Sequence, residues 1–209
     1  MTEIYSIVDT PEYTENLKGV IFDLDDTLYS EKEYVKSGFC AIAREYPNIK
    51  DMYERLWAAF LEKKPAIDEV LLASGLANEK ERCLEIYRNH VPDSLKLYDG
   101  AEEMLLSLRE CGIKTGIITD GRPNGQWAKI RALGLCDKVD RIIVTDELGG
   151  VQFRKPCEAA YIVMCKELGL DYSEAAYVGD NAAKDFIAPE KLGMVCIHFC
   201  NKDGIYYEG

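Results

Sequence analysis

The chain is short of positive charge. Its 209 residues carry 25 Lys and Arg against 37 Asp and Glu, a formal net charge of −12. That balance argues against a nucleic-acid groove or an anionic membrane surface as partner, since both are bound through clustered Lys and Arg. Long apolar runs are missing as well. None approaches a membrane span, and residues 1–18 lack the basic start and apolar stretch of a signal peptide. Internal repeats and low-complexity segments are absent. The eight cysteines fall mostly inside predicted helices and strands rather than at the spacings of a disulfide framework, and read as reduced thiols of a cytosolic protein. What is present is a 47% hydrophobic composition, enough for one domain or for a core with a small inserted domain.

Three apolar runs end abruptly in polar residues. Gly19-Val20-Ile21-Phe22 runs into Asp23-Leu24-Asp25-Asp26-Thr27, Gly116-Ile117-Ile118 into Thr119-Asp120-Gly121, and Ala175-Ala176-Tyr177-Val178 into Gly179-Asp180, with Asp185 five residues further on. Short apolar runs bounded by turn residues read as buried strands of a parallel sheet. Such strands deliver the residues that follow them to the carboxyl edge, where open α/β folds bind ligands. Asp23 and Asp25 then share the mouth of one pocket, and carboxylates that close repel each other unless a cation or a shared proton relieves them.

Between and after these runs the pattern alternates. Helices are expected at residues 101–111, 125–133, 157–168 and 181–192, and strands at 113–118, 141–144, 175–178 and 194–199. The expectation is an α/β fold, a doubly wound parallel sheet covered on both faces. Residues 31–96 read as helical throughout, starting from a Ser30–Glu33 capping box. Met52, Leu56, Trp57, Phe60 and Leu61 recur there at helical spacing, as a core stripe does. Residues 1–17 read as a surface arm. His90 reads as a cap at a helix C-terminus. Cys196, His198 and Cys200 alternate on one face of the last strand, but zinc normally takes four converging ligands and no fourth is evident nearby.

With Asp23-Leu24-Asp25-Asp26-Thr27, Thr119, Lys155 in Arg154-Lys155-Pro156, and Gly179-Asp180-Asn181-Ala182-Ala183-Lys184-Asp185, the chain resembles the haloacid dehalogenase superfamily of phosphatases and related hydrolases. The four motifs occur in the family's order over roughly residues 18–200. The resemblance implies a Rossmann-like core, residues 1–30 and 97–209, with a small α-helical cap at 31–96. It also implies a Mg²⁺-dependent phosphatase of a small phosphorylated metabolite, working through an aspartyl-phosphate. Asp23 matches the nucleophile. Asp25 matches the acid that protonates the leaving oxygen and then activates water, with its pKa raised by Asp23 and Asp180. Thr119, the Asp120–Gly121 turn and Lys155 match the phosphate-binding positions. Asp23, the Asp25 backbone carbonyl and Asp180 match the Mg²⁺ site, with Asp185 supporting it directly or through water. Four acids against the single cation Lys155 argue independently for a divalent metal.

Plainer roles stay open at several positions. Asp185 could cap a helix, Asp120 could only order its loop, and Lys36, a candidate for reaching the leaving group, could sit on a solvated helix face. Gln152 and Glu158 stand where relatives often carry glycine and proline. A phosphosugar mutase would keep every motif. A dehalogenase would need neither Asp25 nor a metal, and a binding protein could retain the fold without turnover.

Overall fold

A computed structural model describes residues 1–205 and 207. Six strands, β1 (Thr2–Ile4), β2 (Gly19–Phe22), β3 (Lys114–Thr119), β4 (Arg141–Val144), β5 (Ala175–Gly179) and β6 (Val195–Phe199), form one sheet. All its pairings are parallel, in the order β1-β6-β5-β2-β3-β4. The chain winds outward from β2 through β3 to β4, then returns to the other side of β2 and winds outward through β5 and β6. The order reverses between β2 and β5, the place where open α/β sheets form a crevice. Every residue of β2 and β5 is buried, which is why these strands read as unbroken apolar runs rather than alternating ones.

The chain divides into two compact units, Met1–Glu31 with Leu95–Gly209, and Lys32–Ser94. The first holds the sheet with α5 (Ala101–Glu110), α6 (Pro123–Ala132), α7 (Ala159–Leu168) and α8 (Ile187–Leu192). Helix α7 lies on β3 and β4, and its Tyr161, Met164 and Cys165 join Ile21, Ile118 and Tyr177 in one buried cluster. The second unit carries α1 (Glu31–Glu45), α2 (Met52–Leu61), α3 (Ala66–Ala73) and α4 (Lys80–Asn89), closed around Phe39, Ile42, Leu56, Val70 and Leu71. Met52 and Leu56 are buried there, Trp57 stacks on Phe60 at 5.2 Å, and Leu61 stays in solvent. His90 follows α4 and places its Nδ1 2.6 Å from the Tyr87 carbonyl in the last turn.

Four local expectations are corrected. Residues 1–17 are not a surface arm: β1 pairs along β6, and Ile4, Ile7, Thr10 and Thr14 are buried. A three-residue strand carries too little periodicity to register in sequence. The start of α1 is held by Asp26, whose Oδ1 accepts the Glu31 N–H at 2.9 Å, while Glu33 pairs with Lys36. The helix expected from residue 157 starts two residues later, at Ala159, after Glu158. Residues 181–186 are turns and α8 starts at Ile187. There the Asp185 and Asn181 side chains accept the Asn181 and Ala183 N–H groups, competing with the helical pattern.

No helix among the described residues is long and apolar enough to cross a membrane. All eight cysteines are unpaired.

Candidate active site

The site is built from the loops that leave β2, β3, β4 and β5. Backbone pairing continues one residue past β2, where the Asp23 N–H donates to the Val178 carbonyl at 2.8 Å. That places Asp23 beside the end of β5, almost wholly buried. The chain then turns sharply at Asp26, whose φ of 53° is left-handed, a conformation aspartate tolerates better than most residues. The Asp26 carboxylate secures this loop by accepting the N–H groups of Glu31 and Ile205, and Asn201 Nδ2 donates to its carbonyl.

Lys155 closes the floor of the site. Its side chain is wholly buried, and Nζ lies 2.7 Å from both Asp23 Oδ1 and Asp185 Oδ1 and donates to the Tyr177 hydroxyl at 3.0 Å. Burial opposes its charge, but Asp185 and Asp23 outweigh it and hold Lys155 protonated well above the usual lysine range. Asp185 lies beneath Gly179 and accepts the Asn181 N–H on its other oxygen at 2.9 Å. A Cβ on residue 179 would fall 2.5 Å from that oxygen, so only glycine leaves room for Asp185.

Asp23, Asp180 and Asp185 each present an oxygen within 4.8 Å of the other two. Burial, then the charges of Asp23 and Asp185, push Asp180 up to about 8. Asp23 is pushed up to about 6, by burial first and by Asp185 and Asp25, with Lys155 pulling against them. When all three are ionised, three carboxylates against one ammonium leave two negative charges, which one divalent cation offsets. The donors are all oxygen, the chemistry that hard divalent cations such as Mg²⁺ take. The residues present therefore fit such an ion.

Asp25 departs from expectation. Its pKa is lowered, not raised. Burial pushes it up, but the Lys129 charge and hydrogen bonds from Lys129, Tyr29 and Gln126 push it down further. Lys129 Nζ lies 2.7 Å from Oδ1 and Gln126 Nε2 2.9 Å from Oδ2, and the Tyr29 hydroxyl also donates to Oδ1. The Asp25 carboxylate thus stands outside the acidic trio. The acid of raised pKa near it is Glu31, pushed up to about 8 by burial and by the charges of Asp25, Asp26 and Asp23, against Lys129.

The β3 loop supplies the remaining parts. Thr119 ends the strand fully buried, and its hydroxyl accepts a hydrogen bond from Gln126. Gly121 has a φ of 143°, and a Cβ there would meet Gln126 at 3.1 Å. The Asp120 carboxylate is taken up by the Thr145 hydroxyl, the Lys155 N–H and Lys184 Nζ at 2.9, 3.0 and 3.2 Å. Only its backbone N–H is left to meet an anion. Arg154 makes a two-point pair with Asp146. Asp23, Asp25, Glu31, Lys155, Asp180 and Lys184 are among the residues lining a cavity of ≈ 350 Å³. Lys36 lies in the helical unit, paired with Glu33 at 2.7 Å and 5.2 Å above the Trp57 ring.

A nucleophile-competent carboxylate, a buried lysine beside it and an all-oxygen acidic trio thus converge at the sheet's switch point. A family model of haloacid dehalogenase-like hydrolases matches residues 17–193, all four loops included. The chain belongs to the haloacid dehalogenase-like hydrolase family. Among its relatives is a glyceraldehyde 3-phosphate phosphatase from Methanocaldococcus jannaschii, 29% identical over 87% of this chain and 84% of that protein. A haloacid dehalogenase-like phosphatase from Thermococcus onnurineus superposes with a TM-score of 0.56 at 26% identity, over 87% of this chain and 86% of the other. The L-2-haloacid dehalogenase of Xanthobacter autotrophicus superposes with a TM-score of 0.60 at 22% identity, over 88% and 78%. Both chemistries occur on this fold, so the fold does not choose between them.

Sequence reading missed four residues of this family member's site. Lys184 was inside a quoted motif, but alternation says nothing about which way a turn residue faces. Gln126 and Lys129 are three apart, hence on one helix face, and both are buried against expectation for polar residues. Glu31 looked like an ordinary acid in a first helical turn. Counting these, Lys155 is not the single cation of the site: Lys129 offsets Asp25 and Lys184 offsets Asp120.

Proposed function

We propose that this protein is a Mg²⁺-dependent phosphomonoesterase of the cytosol acting on a small phosphorylated metabolite. The observation that carries the reading is the convergence at Asp23: a buried carboxylate 2.7 Å from Lys155 and inside the Asp23–Asp180–Asp185 trio. The phosphatase names of the Methanocaldococcus and Thermococcus proteins support it. A dehalogenase would need neither the acid at position 25 nor a metal.

In the first step an Asp23 oxygen forms a bond to phosphorus, and the bond from phosphorus to the leaving oxygen breaks. The leaving oxygen needs a proton. Asp25 is ionised in its pair with Lys129, so Glu31, protonated at neutral pH and lining the same cavity, is the local proton source, directly or by way of Asp25. In the second step the ionised Asp25 accepts a proton from water as that water attacks phosphorus, and the bond to Asp23 breaks. Lys155, the Thr119 hydroxyl and the backbone N–H groups of Asp120 and Gly121 hold phosphate oxygens. Asp23, Asp180 and the Asp25 carbonyl would hold Mg²⁺, with Asp185 supporting them, and the ion would supply charge neutralisation of the transferring group. The helical unit at residues 32–94, with Lys36 as a candidate contact, discriminates among substrates. The eight unpaired thiols suit a reducing compartment.

Phosphate release from a panel of triose phosphates, sugar phosphates and nucleotides tests the reading, run with Asp23→Asn alongside. Mg²⁺-dependent release by the wild type and none by a folded Asp23→Asn variant is expected. Turnover by that variant, full activity in excess chelator, or metal-free dehalogenation of a 2-haloacid would overturn it.

A further inference from the structure

Outside the catalytic cavity, β1 and β6 bring a second set of ligand-type side chains together. Their parallel register sets Glu3 opposite His198, and the Cys200 N–H continues the ladder by donating to the Ile4 carbonyl at 2.8 Å. Side chains alternate along a strand, so His198 and Cys200 face the same side, and Glu3 joins them from the neighbouring strand. Each of the three offers a ligand atom within 4.8 Å of the others. Cys196, two residues earlier, is outside this set and turns its thiol to the Met194 carbonyl. Glu3 of the N-terminal strand thus stands in place of Cys196 and makes a set of three protein ligands.

We propose that Glu3, His198 and Cys200 form a second metal site, for a borderline divalent cation of the Zn²⁺ class, chemically distinct from the carboxylate trio.

Two features support it. The first is the tautomer of His198. Its Nε2 lies 3.0 Å from the Asp180 carbonyl, which can only accept, so Nε2 carries the proton and the Nδ1 lone pair is left for a cation. Metal-ligating histidines characteristically donate their other N–H to a carbonyl or carboxylate in this way. Phe186, edge-on at 5.6 Å, steadies the ring from the side. The second is spacing. Cys200 Sγ lies 3.7 Å from His198 Nδ1. Zinc bonds of ~2.0–2.1 Å to nitrogen and ~2.3 Å to sulfur at a tetrahedral angle put those two atoms ~3.6 Å apart.

The trio opens on a cavity of ≈ 710 Å³ that Asp180 and Asn181 also line, so a water can complete the shell. Nitrogen and sulfur ligands select Zn²⁺ over Mg²⁺, whereas the Asp23–Asp180–Asp185 trio is oxygen only. Binding would also clip β1 to β6, and Zn²⁺ should therefore raise the melting temperature.

The protein, reduced and stripped of metal, is titrated with Co²⁺ in excess Mg²⁺, which fills the oxygen-only trio. One equivalent should bind with thiolate-to-Co²⁺ charge-transfer absorption, and Zn²⁺ should bleach it. Cys200→Ser should remove the band, and Glu3→Gln should weaken Co²⁺ binding by at least ~10-fold. A double Cys111→Ser, Cys136→Ser variant, which removes the two exposed thiols, should behave as the wild type. Glu3 is exposed, so Glu3→Gln leaves the packing intact and decides the question even if Cys200→Ser folds poorly. No band in the wild type, a band that survives Cys200→Ser, or unaltered affinity in Glu3→Gln would each overturn the assignment.

Discussion

Mg²⁺ binding should release about one proton at neutral pH, because two of the acids proposed to hold the ion are partly protonated without it. Asp180 is pushed up to about 8, by burial first and then by Asp23 and Asp185, and Asp23 to about 6, by burial first and then by Asp185 and Asp25 against the pull of Lys155. At pH 7 Asp180 is then about nine-tenths protonated and Asp23 about one-tenth, together about one proton that must leave before the oxygens can ligate. The apparent affinity should rise about tenfold between pH ~6.5 and ~7.5 and level off above pH ~9. Stability of the metal-free protein moves the opposite way. Carboxyl groups whose folded pKa is raised favour the fold below their unfolded value near 4, and that advantage is lost as pH rises through about 6 and 8. Titration calorimetry in two buffers of different ionisation enthalpy reads the proton count directly. Thermal melts at pH ~5 and ~8.5, with and without Mg²⁺, read the stability arm. Proton-free binding with an affinity independent of pH would refute the reasoning, because it would mean that the acids are already ionised or that the ion sits elsewhere.

Lys129→Met should leave the part-buried Asp25 without its cation, costing up to about 3 kcal/mol and lowering the melting temperature by up to about 12 °C in calorimetry. The same variant should shift the basic requirement of turnover to higher pH, since Asp25 loses the charge that keeps it ionised; an unshifted kcat profile would detach Asp25 from proton transfer. Lys36→Ala should alter the ranking of phosphorylated metabolites in kcat/KM and change that of a small aryl phosphate much less. An equal loss on both would show that Lys36 does not read the substrate.

The candidate site is legible in the sequence wherever it sits on a strand end. Asp23, Thr119 and Asp180 each follow an apolar run, and a buried parallel strand has one exit, so their convergence is dictated by sheet geometry. The partners that tune them were not legible. Lys129 and Gln126 reach Asp25 across more than a hundred residues of chain, and nothing in a helical pattern tells a buried polar face from a wet one. The opposite pKa shift at Asp25 follows from that gap: counted without Lys129, like charge alone argues for a raised value. β1 was lost for another reason. It is too short for periodicity, and its place depends on β6, nearly two hundred residues away.

Gly179 shows how far the site depends on packing rather than on ligands alone. The acid that follows it, Asp180, lines the candidate site's cavity, and Asp185 occupies the space a side chain at 179 would fill. Lys155 in turn is held by Asp185 as closely as by Asp23, both at 2.7 Å. Gly179→Ala inserts a Cβ 2.5 Å from the Asp185 oxygen, so Asp185 must move, and with it one of the two anions that keep Lys155 charged in a fully buried position. Overpacking of this kind costs about 1–3 kcal/mol in stability. The effect on turnover should be larger than that figure suggests, because misplacing a positioning residue by about 1 Å can cost about 10²-fold. Comparing the melting temperature and kcat of Gly179→Ala separates the two. A variant that loses stability but keeps its kcat would show that Asp185 braces the fold without positioning Lys155 for the reaction.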